Sequence, residues 1–177
     1  VVISVVMGIL LTMPTSSAAI WIAIASGSTS DAMMLAGGAA VVGCAAQMVG
    51  FAVMSFKENG VGGLISQGIG TSMLQIPNIM KHPLIFVPPI IASAIVGPIA
   101  TCVFKLRCTA GGGGMGTSGL VGVFGAVEAS KGVVSDANIA LAIVFLMFVI
   151  PAVVSLLFRI LFEKKGWIKG EWMKLDV

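Results

Sequence analysis

The chain has 177 residues, of which 58% are hydrophobic and only 10% are charged. Its mean hydropathy is +1.10, whereas a soluble domain carries about 25% charged residues on its surface. These values exclude a water-soluble globular domain and predict an integral membrane protein. The net charge of +3 comes largely from a basic C-terminal segment, so the sequence offers no basic face for nucleic acid.

The chain begins Val-Val-Ile, without an initiator methionine or the basic segment that opens a signal peptide. We therefore expect it to be the C-terminal portion of a longer polypeptide. The three cysteines, Cys44, Cys102 and Cys108, have no CxxC spacing, and two of them lie within apolar runs. This pattern predicts buried free thiols rather than disulfides or a zinc site.

Four stretches are apolar over the roughly 20 residues that a membrane-spanning helix needs. They are residues 2–25, 32–56, 83–104 and 139–158. The first contains Pro14 followed by hydroxyl residues, which predicts a kinked or broken helix at mid-depth. The second carries a stripe of glycines and alanines that lets helices approach closely in lipid, so we expect it to be buried among its neighbours.

Two further segments, residues 61–80 and 109–127, are apolar on average but rich in glycine and polar residues. Irregular backbone is tolerated in a membrane only where it is buried in protein or lines a cavity. We therefore predict an all-α integral membrane protein with four full transmembrane helices plus two Gly-rich re-entrant or broken-helix segments. Six full crossings are the alternative, because the positive charges fix the side of the tail but not the number of spans.

The charges also divide the chain. Residues 1–162 form the predicted membrane-embedded domain, and residues 163–177 form a basic, amphipathic tail. Five Lys and Arg residues lie between Arg159 and Lys174. Because positive residues are enriched on the cytoplasmic side of membrane proteins, we predict that this tail is cytoplasmic.

The strongest local signal is a five-residue element, G-[IM]-G-T-S, that occurs at Gly68–Ser72 and again at Gly114–Ser118. Glycine lets backbone N–H and C=O groups turn toward a ligand, and the Thr-Ser pair adds two hydroxyls at the start of a half-helix. Paired half-helices near mid-membrane are typical of transporters. The alternative is that the glycines only allow close helix packing. The candidate solute-binding residues in the two elements are Gly68, Gly70, Thr71, Ser72, Gly114, Gly116, Thr117 and Ser118.

Polar side chains within apolar segments are further candidates for solute binding, because they are costly in lipid and mark function. They are Gln67, Gln75, Asn78, Glu128 and His82. Glu128 could accept hydrogen bonds from sugar hydroxyls or carry a proton, and an interfacial ion pair with Lys131 is the alternative. For His82, a solvated position at a helix edge is the alternative to a substrate contact.

One histidine and seven acidic residues do not form a Ser-His-Asp, Cys-His or metal-ligand constellation. We therefore expect no catalytic residue, no metal and no cofactor. The G-x-G-x-x-G pattern at Gly114–Gly119 has no preceding strand, and Gly111–Ser118 lacks the lysine of a phosphate loop. These absences argue against a dinucleotide-binding site and against nucleotide hydrolysis.

Three long runs, residues 42–64, 67–78 and 114–122, carry a family resemblance. They resemble the enzyme IIC-like membrane proteins of the bacterial phosphotransferase system, in the branch that includes a perfringolysin regulatory protein. The resemblance covers roughly residues 3–162. It implies a multi-pass permease subunit that translocates a sugar or similar polar solute across the bacterial cytoplasmic membrane, at most the membrane component of a sugar phosphotransferase.

The resemblance also implies partners: the solute, membrane lipids, cytoplasmic phosphocarrier proteins and a second copy of the chain in a homodimer. In family members that transport sugars, a Glu and a His near the re-entrant loops contact the sugar. Glu128 and His82 are the residues here that could take those roles.

Three functions remain open on this basis. The first is a permease in which both glycine elements bind the solute at mid-membrane. The second is a membrane-embedded sensor that regulates gene expression, as the toxin regulator does, and signals through the tail without transport. The third is a channel with Gly111–Gly116 as a carbonyl filter, which requires a symmetric oligomer that the sequence does not indicate.

Overall fold

The computed structural model describes residues 1–28 and 30–175 and is a bundle of helices. The described residues form no β-strand, so the predicted all-α class is confirmed. Short 3₁₀ and π segments extend or join several of the α-helices. The α-helices of the described ranges are α1 Val2–Thr12, α2 Ser17–Ala25, α3 Asp31–Met54, α4 Phe56–Ile65, α5 Ile76–Lys81, α6 Val87–Pro98, α7 Val121–Ser130, α8 Asp136–Ala142 and α9 Ile150–Lys164.

Three continuous helical segments are long and apolar enough to cross a membrane. They are Asp31–Met54, Pro83–Val103 and Asp136–Lys164. The third joins α8 to α9 through the π segment Ile143–Val149. This wider turn lies where Pro151 lacks the N–H that an α-helix would donate to the carbonyl of Met147.

The helix α3 is the centre of the bundle, and its residues from Gly37 to Gly50 are all buried. Its glycines leave room for the backbones of other segments. A Cβ atom on Gly38 would overlap the carbonyl of Leu106, and one on Gly43 would overlap the backbone of Ser4. The predicted small-residue helix, buried among its neighbours, is therefore confirmed.

The predicted first span, residues 2–25, is divided into α1 and α2 at Pro14, as the proline predicts. The side-chain oxygen of Ser16 accepts a hydrogen bond from the N–H of Ala19 and so caps α2. α1 has 11 residues and α2 has 9 residues. Neither helix alone can cross a hydrocarbon core, which needs about 20 residues.

The two N-terminal helices reverse direction. α1 runs in the same direction as α3, because Ser4 lies against Gly43 and, one turn later, Gly8 lies against Gln47. α2 then leads back, through a short connection, to the end of the bundle at which α3 begins. Residues 2–25 thus form a helical hairpin instead of a kinked crossing, and the expected fourth full span is not confirmed.

Charged side chains lie at the two ends of the bundle. At the end that carries the C-terminal tail, here called the tail end, Arg159 lies 2.6 Å from Glu58 and 3.0 Å from Glu163. At the opposite end, Arg107 Nε lies 2.6 Å from the carboxylate of Asp31. The pairs neutralise the chain's two arginines, both of which are buried, and this limits the cost of burying their charge.

The C-terminal tail packs onto the bundle. α9 continues to Lys164, and the described residues after it include a 3₁₀ turn, Gly170–Met173. Ile168 and Met173 are almost fully buried among apolar residues of the tail end. The boundary predicted at residue 163 therefore falls within a helix, and the last two residues of the predicted tail, 176 and 177, lie outside the described residues.

The cysteines are free thiols. Cys44 and Cys108 are buried, as predicted. Cys102 is exposed on the outer surface of the π segment Ile99–Val103, which corrects the expectation that all three are buried. Cys102 lies in an apolar run of the sequence, which predicted that it would be buried. In the structure this part of the run faces away from the bundle.

Candidate functional site

The first glycine-rich segment enters and leaves the bundle at the tail end. At its start, Glu58 pairs with Arg159 of α9, and at its end the ring of His82 stacks on Trp172 of the tail with ring centroids 3.9 Å apart. The chain between them passes through α4, a π segment and a 3₁₀ turn before α5. Thr71 is extended between the π and 3₁₀ segments and breaks the helix there.

The second glycine-rich segment enters and leaves at the opposite end. Arg107 precedes it and Ser130 ends it, and the two residues exchange hydrogen bonds of 2.9 and 3.1 Å. Turns lead inward to Gly116 and Gly119, which have positive φ angles of 56° and 52°, and Leu120 follows with a φ of 60°. Glycine adopts such angles without steric cost, which favours it at positions 116 and 119, whereas Leu120 adopts the left-handed conformation at a cost.

The tips of the two segments meet, on one side buried in the bundle at Thr117 and Gly68 and on the other at an exposed edge at Gly70. The hydroxyl of Thr117 donates to the carbonyl of Gly68 at 2.6 Å, and the hydroxyl of Ser118 donates to the carbonyl of Gly70 at 2.9 Å. The two copies of the repeated element are therefore in direct contact. We call this contact, formed by residues 68–72 and 114–118, the glycine junction. Neither described segment runs from one end of the bundle to the other, as six crossings would require.

The two copies of the element differ in packing. A Cβ atom on Gly116 would lie 2.7 Å from backbone atoms of Cys44 and Ala45, and one on Gly114 would lie 2.5 Å from the carbonyl oxygen of Ser17. By contrast, no atom lies within 4 Å of the position of a Cβ on Gly70. The alternative that the glycines only allow close packing therefore applies to the second element. The first element has an open edge at Gly70.

Two hydroxyls from the N-terminal hairpin complete the junction. Thr12 and Ser72 share a buried hydrogen bond of 2.8 Å, and the hydroxyl of Ser17 donates to the carbonyl of Gly114 at 2.7 Å. Thr12 and Ser17 were not among the predicted site residues. The signal was present, because both hydroxyls flank the helix-breaking Pro14 within an apolar stretch.

The amide side chains form a chain of hydrogen bonds beside the junction. Gln67 donates to Ser55 at 2.7 Å and accepts from Gln75 at 2.9 Å, and Asn78 donates to Gln75 at 2.9 Å. Gln67 and Gln75 are completely buried. The predicted polar residues of the first segment are thus brought together, and they satisfy one another.

The same amide chain binds the tail. Gln75 donates to the carbonyl of Met173 at 3.0 Å, and Asn78 donates to the carbonyl of Lys174 at 2.9 Å. Asn59, which was not a predicted site residue, donates to the carbonyl of Met173 at 2.9 Å and accepts from the N–H of Leu175 at 2.8 Å. Polar groups therefore continue from the junction to the tail end.

Glu128 and His82 are not brought together. Glu128 is exposed on α7 at the end opposite the tail, whereas His82 is half-buried against Trp172 at the tail end. Among the described residues, Glu128 forms no ion pair with Lys131, so the alternative offered for it is not observed. The roles that the resemblance implies for these two residues stay predictions.

The fold and the site define a class of protein. A helical bundle with apolar spans, in which broken helices enter from opposite ends and meet through glycines and hydroxyls, is the architecture of a membrane transport protein.

Residues 1–175 match the family described as "Phosphotransferase system, EIIC". Because the match covers nearly the whole chain, the protein belongs to this family, as the resemblance of its glycine-containing runs predicted. Its membership and its apolar helices make it a membrane component of phosphotransferase-system transport. No curated protein and no solved structure shows significant similarity to the chain.

Proposed function

We propose that this chain contains the solute-binding part of a phosphotransferase-system permease and that a sugar or similar polar, uncharged solute binds at the glycine junction. The observation that carries the proposal is the direct contact between the two G-x-G-T-S elements, through Thr117 to Gly68 and Ser118 to Gly70. Two broken helices that meet from opposite ends form the type of site at which transporters bind their substrates.

The chemistry of the junction suits a polyhydroxylated solute. Gly70 and Gly119 are exposed, and Ser118 is partly exposed beside them. Backbone groups and hydroxyls at this edge can replace the water shell of an uncharged solute, because each provides a donor or an acceptor. No charged side chain is needed for such a ligand, which agrees with the position of the charges at the two ends.

The amide chain offers a route toward the tail end. Gln67 lies next to the junction, and the hydrogen bonds of Gln75 and Asn78 extend the chain from Gln67 to the carbonyl of Lys174. Movement of the first glycine-rich segment against α3 would separate the junction and expose these amides in turn. Access would then alternate between the two ends by motion of this segment, as in other transporters with broken helices.

The charge distribution supports a cytoplasmic tail end. Seven of the ten Lys and Arg residues, all of them described, lie at the tail end, and three lie at the opposite end. Because positive residues favour the cytoplasmic side, the tail end faces the phosphocarrier proteins in this proposal. The homodimer implied by the resemblance stays a prediction.

Equilibrium binding of labelled sugars and polyols to the purified full-length protein tests the site. Gly70→Val places a side chain at the open edge without a clash, so we expect the affinity to fall at least about tenfold, a loss of about 1.4 kcal/mol. Gly62→Val is the matched control, because a Cβ on Gly62 also meets no atom within 4 Å and this glycine lies outside the element. Equal affinity of the Gly70→Val and Gly62→Val proteins would remove the junction from the binding site.

A further inference from the structure

A surface groove runs between α3, α4 and the last membrane-spanning segment. Its deep part has a volume of about 430 Å³ and is lined only by apolar side chains and glycine, among them Val49, Ile69 and Phe148. A second cavity, of about 470 Å³, lies nearer the tail end. Val53 and Leu64 line both cavities, so the two form one continuous groove.

The mouth of the groove is charged. Lys57, Arg159 and Glu163 line the part nearest the tail end. Arg159 and Glu163 are paired with each other, and Arg159 also holds Glu58. Among the described residues, Lys57 has no carboxylate within ion-pair distance, and it is exposed. Arg159 is shared by two carboxylates, so the exposed Lys57 offsets the remaining negative charge of this cluster and is the cation of the mouth whose ammonium is free to pair with a further anion.

The length of the groove matches one leaflet of a bilayer. Phe148 lines its deep end and Arg159 its mouth, a separation of roughly 16 Å along a helix that rises 1.5 Å per residue. The hydrocarbon core of a bilayer is about 30 Å thick, so the acyl chain of a lipid reaches about half that depth. An acyl chain fits the apolar channel, and a phosphate head group at the mouth can pair with the ammonium of Lys57.

We propose that this groove binds an anionic phospholipid, with an acyl chain between α3 and the last membrane-spanning segment and the phosphate paired with Lys57. The bound chain would contact Gly68 and Ile69, which line the deep end and belong to the first glycine element. The lipid would thus support one side of the glycine junction. This inference is independent of which solute the protein transports.

A tryptophan in the groove tests the proposal. Phe148→Trp places a fluorophore in the deep part, and the unmodified protein, whose three tryptophans lie outside the groove, provides the background. Nanodiscs of phosphatidylcholine receive a minor fraction of brominated phosphatidylglycerol or brominated phosphatidylcholine, which quenches nearby tryptophan. We expect brominated phosphatidylglycerol to quench the reporter at about fivefold lower mole fraction, the effect of one basic residue near a membrane surface.

Two lysine variants assign the preference. Lys57→Gln should abolish the difference between the two lipids, whereas Lys81→Gln, also an exposed lysine at the tail end, should preserve it. Equal quenching by both lipids, or a preference that survives Lys57→Gln, would overturn the proposal. So would an unquenched reporter accompanied by cross-linking between two copies through the groove, because a second copy would then be the occupant.

Mass spectrometry of lipids retained by the purified protein gives an independent measurement that needs no change inside the groove. The unmodified protein and Lys81→Gln should retain phosphatidylglycerol in preference to phosphatidylcholine, and Lys57→Gln should retain about fivefold less of it. Equal retention by Lys57→Gln and Lys81→Gln would contradict the assignment of the head-group site.

Discussion

Replacement of Gly116 by alanine should destabilise the bundle strongly, whereas the same replacement at Gly70 should not. Both glycines occupy the third position of the repeated element, so the sequence alone predicts the same role for both. In the structure, a Cβ on Gly116 would lie 2.7 Å from backbone atoms of Cys44 and Ala45 of α3, and the φ angle of Gly116 is 56°. Gly70 has neither constraint.

Two costs determine the expected loss of unfolding free energy in Gly116→Ala. A non-glycine residue in the left-handed conformation costs about 1–2 kcal/mol. Forcing an additional methyl group into a packed region costs about 1–3 kcal/mol more, because the backbone of α3 must move. Gly116→Ala should therefore lower the free energy of unfolding by about 2–5 kcal/mol. Gly70→Ala should change it by less than about 0.5 kcal/mol, as at other unconstrained surface positions.

Reversible unfolding by sodium dodecyl sulfate in detergent micelles, followed by circular dichroism, measures both changes in one experiment. The unmodified protein supplies the reference free energy. If Gly116→Ala and Gly70→Ala unfold at the same detergent fraction, the close packing of the second element against α3 is wrong. Gly70 would then be no less constrained by packing than Gly116, and it would lose its advantage as the position at which to test solute binding.

Three further predictions follow from individual contacts. Thr117→Val removes a buried hydroxyl bond and should cost about 1–2 kcal/mol of unfolding free energy in the same assay, with Ser118→Ala costing less because its bond is exposed; the reverse order would refute the geometry of the junction. Arg159→Gln leaves Glu58 without its partner and should cost about 3 kcal/mol; a change below about 0.5 kcal/mol would show that the pair is solvated. A maleimide should label Cys102 alone in the folded protein, read by mass spectrometry, and labelling of a second cysteine before unfolding would contradict the burial of the other two.

Hydropathy predicted the long helices because it measures the apolar length that a membrane crossing needs. It identified α3 and the last span, and the small residues of α3 identified its central position. The same measure could not separate a kinked span from a hairpin at Pro14, because both have the same mean hydropathy. The direction of α1 depends on contacts with Gly43 and Gln47, which are distant in sequence.

The repeated element was recognisable from the sequence, but the contact between its copies was not. Re-entry at opposite ends depends on Arg107 with Ser130 and on Glu58 with Arg159, pairs whose members are far apart in the chain. Glycine permits the turns but does not specify their partners. Only the assembled bundle shows that Thr117 reaches Gly68.

Residue type was enough to identify the polar side chains as candidates. It did not predict their hydrogen-bond partners. An amide in an apolar segment indicates that a partner exists, because an unpaired amide in lipid is costly. It does not say whether that partner is a solute, another amide or the tail. Gln75 bonds to two other amides, Gln67 and Asn78, and to the tail through the carbonyl of Met173.

Uptake by proteoliposomes that contain the full-length protein tests whether it is a permease whose solute site is the glycine junction. Labelled sugars and polyols are offered with and without the general phosphocarrier proteins, and Gly70→Val and Gly62→Val are measured beside the unmodified protein. We expect saturable uptake that requires the phosphocarriers, is lost in Gly70→Val and persists in Gly62→Val. Saturable binding without uptake under either condition, or full uptake by Gly70→Val, would contradict a permease whose solute site is the glycine junction.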